Sequence, residues 1–214
     1  MCQAIAITAA SSELTERFEL DNVLFHTSSR SEIQPTESIS AIIHHKDERV
    51  LDEFRWGMVP YWAKDSVRMD SLKLFEKPIY ERIANKQRCI IPCNGFYVSR
   101  TEGKVVHRVK IAMRSGMFAI AGLYDVFRPA SGEEMRTCTM LMTKANGLIA
   151  PYQPQMPAIL EPEDVSAWLT RGSRTPFQLT NMLRMMESVR MIAIPVSPTG
   201  EADMEFEAPR TEWV

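Results

Sequence analysis

The chain opens Met1-Cys2 and continues into the apolar run QAIAIT. A residue as small as cysteine behind the initiator permits removal of Met1. Cys2 would then carry a free α-amine and a thiol on adjacent carbons. With reference pKa values of ~8.5 for a thiol and ~7.7–8.0 for an α-amine, part of the amine is neutral at physiological pH. Such a pair condenses with an aldehyde in two steps. The amine forms a Schiff base, and the thiol then closes a five-membered thiazolidine. The second bond forms within one molecule, which favours the ring over the open imine. The plain alternative is that Cys2 is an ordinary strand residue.

A second cluster is RWGMVPYWAKD, residues 55–65. Trp56, Tyr61 and Trp62 lie beside Arg55 and Lys64. Aromatic faces interleaved with cations are the working parts of single-strand recognition, because bases stack and phosphates pair. The competing reading is that the two tryptophans fill core. Cys89 and Cys93, in RCIIPC, and Cys138 read as small buried apolar residues. His44 and His45 fall on one strand, where neighbours face opposite ways, so no metal site is expected. Nothing resembles a phosphate-cradling glycine loop, a nucleophile elbow or a zinc-protease helix.

These groups must be positioned by 214 residues, 45% hydrophobic and 24% charged, with four cysteines. That composition suits one globular domain without a disulfide scaffold. No run is long and apolar enough for a membrane span, and no secretory signal is evident, so a cytoplasmic protein is expected. The net charge of -2 is unevenly spread. Residues 1–60 carry -5, residues 61–114 carry +7 and residues 115–214 carry -4. The basic middle fits a phosphate backbone or a solvated surface balanced by its flanks.

Strands are expected at QAIAIT, SAIIHH, RWGMV, RCIIP, GFYVS, KVVHRVKIAM, MFAIAGLYDVF, TCTMLMT and RMIAIPVS. SSELTERFEL reads as a short helix capped by Ser11 or Ser12, and IYERIANKQR as a helix after Pro78. EPEDVSAWL and RTPFQLTNMLRMM start helices with proline in the first turn, the second after Thr175. DSVRMDSLKLFEKP has no period and reads as loop. The expected class is α+β: a single domain with a mainly antiparallel, curled β-sheet or pseudo-barrel flanked by short helices. It covers residues 1–200, and residues 201–214 form an acidic C-terminal tail.

Several segments, in order, resemble the SOS-response-associated peptidase family, which handles abasic sites in single-stranded DNA. They are the initial MC, RWGMVPYWA, QRCIIPCNGFY, FAIAGLYD, MLMTKAN and QMPAIL, with Trp168-Leu169 following. The resemblance implies that Cys2 forms a thiazolidine with the ring-opened aldehyde of an abasic sugar, shielding the DNA as a covalent cross-link. It implies a role in the SOS and DNA damage response, peptidase-like hydrolase chemistry with autocatalytic or assisted removal of Met1, and no cofactor or metal. The expected partner is single-stranded DNA with abasic sites, met by a monomer and not by a membrane protein. The expected DNA contacts are Arg55, Trp56, Pro60, Trp62, Lys64, Arg68, Asn94, Gly95 and Phe96.

Several positions depart from that pattern. Val98 stands where the family has a glutamate that assists ring closure and opening. Gln153 stands where it has an acid/base histidine, and Gln155 where it has an arginine. An Asn-Ala-Arg segment is replaced by VRMDSLKLFEKP, in which Arg68 or Lys73 are candidate substitutes. Cys-Gly-Arg becomes Cys2-Gln3-Ala4. The nucleophile therefore remains without its proton carriers, a loss of about 10²–10⁴-fold in rate. Asp70, Glu76, Tyr97 and Tyr152 are candidate replacements. A slow cross-linker is expected, and a non-catalytic single-strand binding module of the same fold is the alternative.

Overall fold

The computed structural model describes residues 4–26, 29–59, 66–76, 78–128, 132, 134–172 and 174–196. Cys2, Pro60, Tyr61, Trp62, Lys64 and the acidic tail at 201–214 lie outside them. The rest forms two sheets and four short α-helices, the curled α+β architecture expected.

The first sheet runs β14-β9-β8-β1-β3. Its members are β1 (Ala4–Ile7), β3 (Arg30–Ile33), β8 (Gly95–Glu102), β9 (Val105–Met113) and β14 (Met191–Pro195). The second is built on β4 (Ser38–His45), β5 (Glu48–Trp56), β7 (Arg88–Cys93), β10 (Phe118–Phe127) and β11 (Met135–Lys144). Shorter pieces complete it: β2 (Asn22–Val23), β6 (Arg68–Asp70), β12 (Gln155–Pro157) and β13 (Ile159–Leu160).

Ile5, Ile7, Phe96, Val98 and Ile111 of the first sheet share one core with Ile39, Trp56, Ile91, Cys138 and Met140 of the second. The outer face of the second sheet, including Ile42, Leu51, Ile90, Ala121 and Leu141, is covered by helices. These are α1 (Ser11–Phe18), α2 (Pro78–Lys86), α3 (Pro162–Leu169) and α4 (Pro176–Met182). The second sheet is therefore buried on both faces. That explains why CIIPC of β7, after Arg88, is apolar without alternation and β7 is buried at every position. Its Pro92 has no N–H to donate, and pairing to β4 is confined to Ile90 and Cys89. Gly122 of β10 is required: a Cβ there would come within 2.9 Å of Cys89 Sγ and of the Thr139 carbonyl.

Two local expectations are corrected. α1 is capped by Ala10, with no side-chain bond from either serine. The stretch read as loop holds β6 and a 3-10 turn, Ser71–Phe75, capped by Asp70 Oδ1 accepting from the Leu72 N–H at 3.0 Å. A three-residue strand that pairs in parallel with distant β11 leaves no periodicity to read. The expected cap at Thr175 is present as a capping box with Gln178. Among the described residues no helix is long and apolar enough to cross a membrane.

Candidate reactive site

Ala4, two residues after Cys2, is the first described residue. β1 lies between β3 and β8, with Ala4 opposite Tyr97 and Ala6 opposite Gly95. Ala4, Ala6 and Tyr97 form a small cluster with Val196 packed against it. The Tyr97 hydroxyl donates to the Ser31 carbonyl at 2.7 Å. The Arg108 guanidinium lies 4.6 Å from the Tyr97 ring centroid and pairs with Glu32 at 2.7 Å. Burial, with Glu32 nearby, pushes the Tyr97 hydroxyl above its usual range. Tyr97 therefore keeps its proton and spends it on β3.

Asn94 and Gly95 shape the corner where β7 passes to β8. Asn94 donates its N–H to the Ala6 carbonyl, and its Oδ1 accepts from the Thr8 N–H, both at 2.8 Å. A Cβ at Gly95 would press on the Ile111 carbonyl at 3.0 Å and displace the end of the Lys110 side chain. Phe96 is fully buried, edge-on to Phe118 at 6.4 Å. These residues hold β1 in place and offer no ring to a base.

Trp56 belongs to the core as well. It is 0% exposed, and its indole N–H donates to the Val67 carbonyl at 3.0 Å. The stacking role expected for Trp56 is corrected by that burial. Gly57 bonds the Cys138 carbonyl and Met58 the Ser66 carbonyl, each at 2.8 Å, so residues 58 and 66 are clasped together. Pro60, Trp62 and Lys64 fall between them, outside the described residues. Arg55 is exposed in an open groove of about 720 Å³, where it and Arg136 face Asp52, Glu53 and Glu134. Two cations against three carboxylates make a poor track for phosphates.

Val98 is fully buried in the shared core, opposite Val109. Gln153 is 5% exposed, and its Nε2 donates to the Gln155 carbonyl at 2.5 Å. Only the amide nitrogen can donate there, so Oε1 is fixed as the free end, and it has no partner among the described residues. The Gln155 amide donates to Asp70 Oδ2 at 2.7 Å. Asp70 and Gln155 line a groove of about 350 Å³ with Thr143, Lys144 and Pro154. Gln153, Gln155 and Asp70 thus form one hydrogen-bonded chain across β6 and β12. It joins side chains 85 residues apart, a link no local pattern signals. Arg68 is half-buried on β6, and Glu76 is exposed at the end of the 3-10 turn. Tyr152 is half-buried against the shared core.

The SOS response associated peptidase (SRAP) family model matches residues 1–199, and the chain belongs to that family. It is 31% identical over 209 residues to the abasic site processing protein YoqW of Bacillus subtilis, covering 92% of each. It is 26% identical over 148 residues to the abasic site processing protein YMR114C of Saccharomyces cerevisiae, covering 64% of this chain and 39% of that protein. A crystal structure of a Bacteroides thetaiotaomicron protein superposes with a TM-score of 0.82 at 22% identity, over 92% of this chain and 93% of that one.

Proposed function

We propose that this protein captures abasic sites in single-stranded DNA through Cys2 after loss of Met1. The observation that carries the reading is the family match, which runs from the Met1-Cys2 pair to residue 199. Full-length relatives are named abasic site processing proteins. Ala4, the first described residue, follows Cys2 by two positions and lies opposite Tyr97.

The α-amine of Cys2 attacks the aldehyde carbon of the ring-opened sugar, and one water leaves as the imine forms. The thiol sulfur then adds to the imine carbon, and its proton ends on the ring nitrogen. Val98 has no proton to move, and the Gln153 amide is neither acid nor base. The steps then rely on the aminothiol alone, and the reaction is slow.

Incubation with an abasic oligonucleotide followed by a denaturing gel tests this. Wild type gives a slowly accumulating band, Cys2→Ala gives none, and Gln153→His forms it up to about 10²-fold faster. No band from wild type after long incubation, or a band that survives Cys2→Ala, overturns the reading. A specific observation favours a second reading, a non-catalytic single-strand binder: Val98 and Gln153 both lack a titrating proton. Salt-dependent binding of undamaged strands without covalent product is its signature.

A further inference from the structure

Most half-buried arginines here are matched to a carboxylate. Arg30 pairs with Glu37 at 2.6 Å, Arg49 with Glu19 at 2.8 Å, Arg108 with Glu32 at 2.7 Å and Arg190 with Glu161 at 2.6 Å. Arg136 pairs with Asp52. One corner breaks the pattern. Where the end of α2 meets the segment between α3 and α4, Arg88, Arg171 and Arg174 come together, and none of them pairs with a carboxylate among the described residues.

Arg88 is 4% exposed and donates only to carbonyls: Trp168 at 2.6 Å, Ala84 and Thr170. Those oxygens end α2 and α3, where helix dipoles offer partial negative charge. Arg171 Nη2 reaches the Tyr124 hydroxyl at 3.3 Å. Arg174 is anchored by its backbone N–H to Asn85 Oδ1 at 3.4 Å, and its side-chain Nε is buried without an acceptor among the described residues. Burial, reinforced by Arg174, pulls the Arg88 guanidinium down to about 10. Like charges crowded together with an orphaned N–H form a site short of one anion.

We propose that the Arg171–Arg174 corner binds a phosphate group. A tetrahedral dianion or a phosphodiester supplies the missing acceptor for Arg174 Nε and offsets the charge that Arg171 leaves unbalanced. The phosphate comes from a nucleic-acid backbone or from a free phosphate. The first source rests on the DNA reading above; the phosphate chemistry itself does not.

The double variant Arg171→Ala/Arg174→Ala leaves Arg88 and its carbonyls intact, and Arg174→Gln serves as a milder control. Circular dichroism checks that each keeps the fold. Inorganic phosphate at constant ionic strength raises the melting temperature of wild type and not of the double variant. In salt titrations with an undamaged single-stranded oligonucleotide, the log–log slope becomes shallower by about 0.7 for each phosphate that the variant no longer neutralises. Both changes together support the backbone as the source. The melting shift alone supports a free phosphate. Equal phosphate stabilisation of wild type and double variant overturns the proposal, whatever the slope. The abasic-site gel is run on the same variants. A wild type that forms no cross-link while the phosphate effect is intact removes the Cys2 reading and leaves this corner standing.

Discussion

Among the described residues two arginines lie over aromatic rings, and they are used in opposite ways. Near the reactive end, Arg108 sits 4.6 Å from the Tyr97 centroid and is neutralised by Glu32. Its charge is matched by a carboxylate, although its Nε has no acceptor among the described residues, and it fixes the strand that follows Cys2. Across the molecule, Arg88 sits 5.8 Å from the Trp168 centroid and meets no carboxylate among the described residues. Its charge is spread over three carbonyls that end two helices. The first corner uses an ion pair to hold β1, β3, β8 and β9 in register. The second uses a lone cation to tie helices to the sheet and leaves the surface around it positive. A matched charge is a fastener; an unmatched one is a fastener with an open valence.

The largest expected effect follows from that difference. Arg88→Met removes the donor from the Ala84, Trp168 and Thr170 carbonyls, in a site that water does not easily enter. Leaving a buried acceptor unsatisfied costs about 1–3 kcal/mol each, so a loss of about 4 kcal/mol is expected after partial relaxation. Arg108→Met should cost about 1 kcal/mol, since Arg108 and Glu32 retain 23% and 28% side-chain exposure and Glu32 can turn to water. Urea unfolding of both variants measures the pair. Equal losses would break the comparison.

The sheet and its covering helices were largely legible in the sequence, because they rest on local signals. Pro162 and Pro176 mark helix starts, and RCIIP reads as a strand. The site was less legible. Trp56 looks like a stacking platform in one dimension, and only the fold turns it inward. The Asp70–Gln155 bond and the meeting of Arg88 with Thr170 join residues 85 and 82 apart. Such pairings depend on which strands lie side by side, which no window along the chain encodes. Cys2 is read from its position in the sequence alone.

Alkaline pH sharpens the comparison. Burial pushes the Cys89 and Cys138 thiols and the Tyr97 and Tyr124 hydroxyls above their usual ranges. Each binds its proton more tightly folded than unfolded. Their contribution is complete below the ordinary thiol value of 9.0 and is lost as pH rises beyond it. Arg88 has the opposite sign. Its folded value near 10 lies below the ordinary 12.5, so its burial cost is present up to about pH 10 and recedes above it. Four acids outweigh one base, and stability should fall from about pH 9 upward. Cys138→Ala should flatten that fall, whereas Arg88→Met should steepen it above about pH 10. Stability from urea midpoints at about pH 7, 9 and 10.5 separates the two; the same slope in both variants contradicts the assignment.

The smallest effect lies on the acid side. Hydrogen bonds from Arg30 at 2.6 Å and the Gln34 N–H at 2.5 Å hold the Glu37 carboxyl below its ordinary value of 4.5. Its stabilisation is present above pH 4.5 and disappears as pH drops through the lowered folded value. With Glu37 37% exposed, solvent screening keeps this under about 1 kcal/mol. The Glu37 backbone carbonyl also accepts from the Trp56 N–H at 3.0 Å, so protonation loosens the turn that seats Trp56. The arginine corner has no ion pair to lose. Amide exchange measured at about pH 3.5 and 6 should therefore rise around residues 34–37 and 56 while the end of α2 stays protected. Glu37→Gln should show the faster exchange already at about pH 6. If acid opens α2 first, charge matching is not what distinguishes these two corners.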